Sequence, residues 1–174
     1  MSIPMKDVLG EDRFQIIEEA DKNFILAFDE AMQKLGYDFG GEIGSGYCWG
    51  PYMIIYAKTG VKAKKVAARV FIRKDCIVLR LYFTNIDKHR AYIENAAPNI
   101  KEVFTGERGD CSHCEGGHRK DGFCKFRKTY SIDGQDYEKC NGIVFKFWWP
   151  DLEKLPDYMG LLKEFYAAKR RASP

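Results

Sequence analysis

Long apolar runs are missing from this sequence. No stretch approaches the roughly 18 uncharged apolar residues of a membrane-spanning helix, and residues 1–7 do not form the apolar run of a signal peptide. Internal repeats, linkers and low-complexity segments are missing as well. We therefore expect a cytoplasmic protein, in which thiols stay reduced and clustered cysteines favour metal binding over disulfides.

A strong net charge and the usual catalytic motifs are also missing. The formal charge of +3 is too small to indicate nucleic-acid binding by itself. No Gly-x-Ser-x-Gly elbow is present, which argues against an acyl-transfer enzyme. The glycine-rich residues 37–50 lack the Gly-Lys-Ser/Thr of a phosphate loop, so they predict a flexible loop beside a cavity. Binding is therefore expected in preference to catalysis.

The apolar spacing predicts one α+β domain over residues 1–174. An amphipathic helix is expected over 12–35, with Asp12 as its N-cap and Gly36 just beyond its end. Alternating residues in 52–58, 65–73 and 76–83 predict an antiparallel meander with one buried face. The N- and C-terminal helices should cover this sheet.

The second half of the chain is predicted to contain further helices, a hairpin and a last strand. A helix capped by Asn85 or Asp87 should reach residue 97, and Pro98 suits the start of another. Asp133-Gly134 predicts a type I′ hairpin turn that places Arg127 opposite Cys140. A strand over 143–148 and an amphipathic helix over 156–169 complete the chain.

Four of the six cysteines lie close together in a polar insertion over residues 105–140. A Cys-x2-Cys pair can place two thiolates on one tetrahedral metal, and later cysteines can close the shell. The expected cofactor is therefore a structural Zn²⁺ that orders this insertion, held by Cys111, Cys114, Cys124 and Cys140. A redox pair at Cys111 and Cys114 is the competing interpretation.

A second ligand set replaces Cys140 by His118. The spacing Cys-x2-Cys-x3-His-x5-Cys over residues 111–124 resembles a retroviral-type zinc knuckle with its histidine one place early. Such knuckles carry an aromatic residue where this chain has Ser112. The remaining cysteines, Cys48 and Cys76, are expected to be small buried hydrophobic residues.

Aromatic and acidic residues predict a ligand pocket at the open end of the sheet. An aromatic cage with one carboxylate suits a flat or cationic organic molecule. Adjacent residues on a strand point to opposite sides, so Trp148 and Trp149 should face apart. The candidate ligand-binding residues are Glu42, Tyr47, Trp49, Tyr52, Tyr56, Tyr82 and Trp148.

Basic residues support an alternative function. Lysines cluster at residues 58–65. Further Lys and Arg residues lie around the clustered cysteines and close to the C-terminus. Together with a zinc loop, this distribution could bind phosphate backbones. Nucleic-acid binding is thus the alternative to small-molecule binding, and a metal-dependent enzyme is the third hypothesis.

The predicted order of strands and helices resembles that of a known group of domains. Residues 52–83, 87–104 and 143–169 give a three-strand meander, a helix, a strand and a terminal helix. This order is similar to small uncharacterised bacterial domains of the YdhG-like and MmcQ-like kind. The resemblance implies an α+β domain with a role in handling small ligands, and it transfers no catalytic residue.

Overall fold

The computed structural model describes residues 3–106, 127–140 and 145–166. Its α-helices are α1 (Met5–Leu9), α2 (Glu19–Lys34), α3 (Arg90–Glu94), α4 (Pro98–Thr105) and α5 (Leu155–Tyr166). Its strands are β1 (Tyr37–Asp38), β2 (Gly44–Ser45), β3 (Tyr52–Lys58), β4 (Val66–Ile72), β5 (Ile77–Leu81), β6 (Arg127–Ile132), β7 (Gln135–Cys140) and β8 (Lys146–Trp148). The predicted α+β class with an antiparallel sheet is confirmed.

The chain divides into two compact units. Met1–Leu81 and Trp148–Pro174 form the first unit, and Tyr82–Phe147 forms the second. In the first unit, β1, β3, β4 and β5 lie side by side in that order, and β2 also pairs with β3. The pairings along β3, β4 and β5 are antiparallel. The predicted three-strand meander is therefore confirmed.

Helices α2 and α5 cover one face of this sheet. The Phe28 ring meets Tyr56 of β3 edge-on, with centroids 5.2 Å apart, and Phe24 meets Tyr158 of α5 at 6.1 Å. All four side chains are almost entirely buried. Burial of such side chains contributes about 1.5–3 kcal/mol each, so this aromatic layer holds the two helices on the sheet.

Helix α2 begins later than its sequence pattern suggests. A helix from Asp12 was predicted, but residues Asp12–Phe14 form a 3-10 turn and α2 starts at Glu19. The turn buries Phe14 completely, so the apolar spacing continues through two separate elements. The predicted end is confirmed, because Gly36 has φ +85° and its N–H donates to Gln33 O at 2.9 Å.

The opposite face of the sheet is also partly buried, which corrects the prediction of a single buried face. Met53, Phe71 and Val78 form a small cluster there, with exposures of 8%, 1% and 2%. Strand alternation places them away from Tyr56 and therefore away from α2. Trp49 of the loop before β3 packs on this cluster, together with Ile55 and Cys76, so the sheet has a second apolar surface.

The second unit is built around the β6–β7 hairpin. Its turn residues Asp133 and Gly134 have φ values of +51° and +75°, as a type I′ turn requires. The register pairs Arg127 with Cys140, as predicted. The Tyr130 hydroxyl donates to Phe104 O at 2.5 Å and ties the hairpin to α4. Cys140 is thereby held, buried, at the base of the hairpin.

The helices of the second unit are shorter than predicted. In place of one helix reaching residue 97, a 3-10 turn over Ile86–His89 precedes the five-residue α3. Asp87 does not cap this segment; its Oδ1 accepts a bond from Ser131 N at 3.1 Å instead. The start of α4 at Pro98 is confirmed.

Candidate functional site

A cleft of about 810 Å³ lies on the face of the first unit's sheet that points away from α2. We call it the sheet-face cleft. Its floor is formed by side chains of β3 and β4, and the loop over residues 38–49 forms its wall. Its charged and aromatic lining residues are Asp38, Phe39, Glu42, Tyr47, Trp49, Lys64, Arg69 and Phe71. The glycine-rich loop therefore borders a cavity, as predicted.

Close backbone contacts hold the wall in place. Trp49 N donates to Gly46 O at 3.0 Å, and Gly46 N donates to Pro51 O at 3.3 Å. A side chain at Gly46 would collide with Gly50 O, so only glycine fits this turn. Arg73 Nη1 then donates to Trp49 O at 2.8 Å. The 3-10 turn carrying Tyr47 and Trp49 is thus fixed from both sides.

Trp49 provides the aromatic wall of the cleft. Its ring centroid lies 6.0 Å from that of Phe71 with a 41° tilt, and Phe71 belongs to the buried cluster of the floor. The Trp49 side chain is partly exposed, whereas Phe71 is 1% exposed. A planar ligand entering the cleft would therefore meet an indole that is backed by packed apolar side chains.

The charged residues of the cleft balance one another. Asp38 and Glu42 supply two carboxylates, while Lys64 and Arg69 supply two cations. Asp38 Oδ2 accepts a bond from Gly40 N at 3.3 Å. Glu42 is exposed and makes no hydrogen bond or ion pair with any residue that the structure describes. Its carboxylate is the one most available to a ligand.

Three of the predicted ligand-binding residues line this cleft, namely Glu42, Tyr47 and Trp49. Tyr52 and Tyr56 do not, because their positions on β3 alternate with the floor residues. The Tyr52 ring packs edge-on against Phe14 at 5.0 Å, and Tyr56 is fully buried under α2.

The other two predicted residues also lie elsewhere. Tyr82 belongs to the second unit. Trp148 belongs to the first unit but lines a separate cleft of about 480 Å³. We call this the tryptophan cleft.

The tryptophan cleft corrects the prediction that Trp148 and Trp149 face apart. Both residues line it, and their ring centroids are 5.9 Å apart with a 48° tilt. Strand β8 ends at Trp148, and Trp149 has φ +50°, which breaks the alternation of a strand. Trp148 is 44% exposed and Trp149 is 68% exposed. Tyr47 lines both clefts and is 81% exposed.

Arg73, Lys74 and Asp75 are the charged residues of the tryptophan cleft. The Arg73 guanidinium carbon lies 5.4 Å from the Trp148 ring centroid. Cys48 and Cys76 line the same cleft, with Cys48 exposed and Cys76 partly exposed. The expectation that both are buried is therefore wrong, because each lies in a turn beside a strand and not within the strand itself.

A buried carboxylate lies on the helix side of the sheet. Asp29 is 5% exposed, and its two oxygens accept bonds from Tyr56 Oη at 3.2 Å and Gln33 Nε2 at 2.7 Å. Loss of hydration raises the pKa of Asp29, although both hydrogen bonds act in the opposite direction. Burial, together with the Asp29 charge, also raises the pKa of Tyr56 well above its usual value. This pair joins α2 to β3 inside the core.

Sequence reasoning missed the contributions of Phe71 and Arg73. The alternation of β4 was visible, but it could not show that the loop over residues 38–49 covers the face carrying Phe71. Likewise, only the folded chain places the Arg73 side chain between Trp49 O and the Trp148 ring. The sequence contained one signal for these residues. Arg69, Phe71 and Arg73 occupy alternate positions, which predicts that they lie on the same face of the sheet.

The predicted zinc ligands fall mostly outside the described residues. Cys111, Cys114, Cys124 and His118 lie in residues 107–126, and only Cys140 is described. Within 3–106, 127–140 and 145–166, no group of three or more His, Cys, Asp or Glu side chains could hold a metal ion. The zinc site therefore stays a prediction.

None of the helices in the described part of the chain is long and apolar enough to cross a membrane. The resemblance to YdhG-like and MmcQ-like domains, and the bacterial origin that it implies, stay predictions. No family model, curated protein or solved structure matches the chain.

Proposed function

We propose that this protein binds a small aromatic or cationic organic molecule in the sheet-face cleft. The observation that carries the proposal is the pairing of the Trp49 wall with the Glu42 carboxylate, which has no partner among the described residues. An indole face attracts both flat rings and organic cations. A carboxylate nearby adds attraction for a cation.

The dimensions of the cleft support this proposal. Pockets for small molecules commonly enclose about 300–1,000 Å³ and combine apolar walls with a few polar groups. The sheet-face cleft has about 810 Å³, an apolar floor that includes Phe71, and charged residues at its edge. Because its two acidic and two basic residues cancel in formal charge, direct contacts would decide which ligand binds.

Titration with an aromatic cation tests the proposal. Benzyltrimethylammonium and the neutral benzyl alcohol would be titrated into wild type and Glu42→Gln, followed by protein-observed NMR. We expect saturable binding of the cation, weakened about threefold to tenfold by Glu42→Gln, with no change for the alcohol. Trp49→Ala should weaken binding of both compounds.

Glu153→Gln is the matched control, because Glu153 is exposed, lines neither cleft and has no ion pair among the described residues. Its affinities should equal those of wild type. Equal weakening by Glu42→Gln and Glu153→Gln, or no saturable binding of either compound, would contradict the proposal.

We also propose a structural Zn²⁺ held by Cys111, Cys114, Cys124 and Cys140. The hairpin register supports this set, because it pairs Cys140 with Arg127. Arg127 follows Cys124 by only three residues, so Cys140 lies near the point where the chain leaves Cys124. Four protein ligands leave no open position, so such a metal stabilises the fold and does not catalyse. His118 is the alternative fourth ligand. The metal-dependent enzyme and the cytoplasmic location stay predictions.

A further inference from the structure

The tryptophan cleft exposes three aromatic side chains beside two cations. Tyr47, Trp148 and Trp149 are 81%, 44% and 68% exposed, although each has a large apolar ring. All three line one cleft within the first unit, together with Arg73 and Lys74. Exposed aromatic residues that converge in this way mark binding surfaces more often than scattered single ones.

Backbone conformation holds two of these rings in the cleft. Tyr47 and Trp149 have φ values of +53° and +50°, in the left-handed region that bulky residues rarely adopt. Such conformations persist where the surroundings enforce them, and they cluster at binding sites. In Trp149 this conformation turns the ring to the same side as Trp148.

Arg73 is held in place as a donor. Its Nη1 donates to Trp49 O at 2.8 Å, and its guanidinium lies 5.4 Å from the Trp148 ring centroid. A guanidinium has five N–H donors, and among the described residues Arg73 makes only this one side-chain hydrogen bond. Because the group is already ordered, binding an anion would cost it less conformational entropy.

From these contacts we propose that the tryptophan cleft binds a mononucleotide. The base would stack on the exposed Trp149 ring, and the phosphate would bind Arg73 and Lys74. A planar ring joined to one anionic group matches an aromatic surface with a fixed guanidinium beside it. This site differs from the sheet-face cleft, and the proposal does not depend on what binds there.

The charges of the cleft favour a single nucleotide over a nucleic-acid strand. A strand needs a groove of cations that follows its successive phosphates. The tryptophan cleft offers two cations, Arg73 and Lys74, and one opposing carboxylate, Asp75. Its volume of about 480 Å³ is also within the range for one small molecule.

Tryptophan fluorescence tests the proposal. AMP and adenosine would be titrated into wild type, Trp149→Ala and Lys74→Ala, with folding of each variant checked by circular dichroism. We expect saturable quenching by AMP and at least threefold weaker binding of adenosine. Trp149→Ala should weaken both ligands about tenfold, as the loss of one stacking contact implies. Lys74→Ala should weaken AMP alone.

Leu152→Ala and Lys62→Ala are the controls, because both residues are exposed and neither lines the cleft. They should leave AMP binding unchanged. Absence of AMP binding, or equal affinities for AMP and adenosine that Lys74→Ala does not alter, would overturn the proposal. Binding of oligo(dT) that strengthens steeply with length while dTMP does not bind would instead identify a nucleic-acid surface, which also overturns it.

Discussion

The hydroxyl of Tyr56 donates a hydrogen bond to Asp29 Oδ1 across 3.2 Å, inside the layer between β3 and α2. Both residues are buried, and Gln33 donates to the other Asp29 oxygen at 2.7 Å. A carboxylate in such a position would be costly without these donors. The pair therefore sets the position of α2 on the sheet and makes this contact sensitive to pH.

Removal of the Tyr56 hydroxyl should destabilise the protein. Tyr56→Phe keeps the packing against Phe28 but leaves one buried carboxylate oxygen without its donor. We expect the free energy of unfolding to fall by about 1–3 kcal/mol in urea titrations at pH 7. Tyr37→Phe is the control, since Tyr37 is buried and its hydroxyl has no hydrogen bond among the described residues. Equal losses in the two variants would contradict the role of the hydrogen bond.

The buried Asp29 should make stability fall as the pH rises. Burial raises the pKa of Asp29 in the folded protein above the usual 3.8, so the folded state holds its proton longer than the unfolded chain. The stability contributed by this more tightly held proton is fully present below pH 3.8, the usual pKa. It is lost as the pH rises through the pKa of Asp29 in the folded protein.

Urea unfolding of wild type and Asp29→Asn over this pH range checks the direction. Since Asn does not titrate, the stability of wild type relative to Asp29→Asn should decrease as the pH is raised from about 3.5 to about 7, because this range begins below the usual pKa of Asp and includes the raised pKa values seen for buried carboxyls. A difference that increases with pH would show that the hydrogen bonds from Tyr56 and Gln33 outweigh the loss of hydration.

Asp87 should show the opposite pH dependence. Its hydrogen bonds with Arg90, at 2.8 Å, and with Ser131 N lower its pKa in the folded protein. Stability from the ionised form is present above the usual 3.8 and is lost as the pH falls through the folded pKa. Because Asp87 is exposed, Asp87→Asn should lower Tm by less than about 5 °C at pH 7, with no difference in strong acid. A loss of Tm that persists in strong acid would assign the effect to packing.

Gly46 and Gly44 provide a matched pair for the wall of the sheet-face cleft. A Cβ at Gly46 would collide with Gly50 O and Tyr52 O, whereas one at Gly44 would meet nothing within 4 Å. Gly46→Ala should therefore cost about 1–3 kcal/mol in unfolding free energy and weaken aromatic-cation binding, because the turn carrying Trp49 must shift. Gly44→Ala should leave the unfolding free energy unchanged, because the added methyl group meets no neighbouring atom. Equal behaviour of the two variants would show that the turn is not closely packed.

Metal content tests the proposed zinc site. Mass spectrometry of the purified protein should find one zinc per chain, lost in Cys140→Ser and retained in His118→Ala. Loss in His118→Ala with retention in Cys140→Ser would identify the other ligand set. A wild-type protein without metal, expressed and purified with zinc present, would contradict the site and leave a redox pair at Cys111 and Cys114 to be tested.

Local patterns predicted much of the backbone. The meander, the hairpin turn at Asp133-Gly134 and the helix end at Gly36 each depend on a few neighbouring residues, and each was confirmed. The start of α2 was misplaced because Phe14 belongs to the same apolar series as the helix but is buried by a separate turn. Periodicity reports which residues are buried and does not report which element buries them.

The sequence by itself determined most of the longer strands and helices of this protein and the aromatic residues available for binding. Only the tertiary structure decided which of them come together. Strand alternation separates Tyr52 and Tyr56 from Trp49, while the left-handed backbone at Trp149 brings this ring beside Trp148. Spacing along the chain determines the face of a strand. A cleft depends on which distant segment covers that face, and this depends on packing over the whole unit.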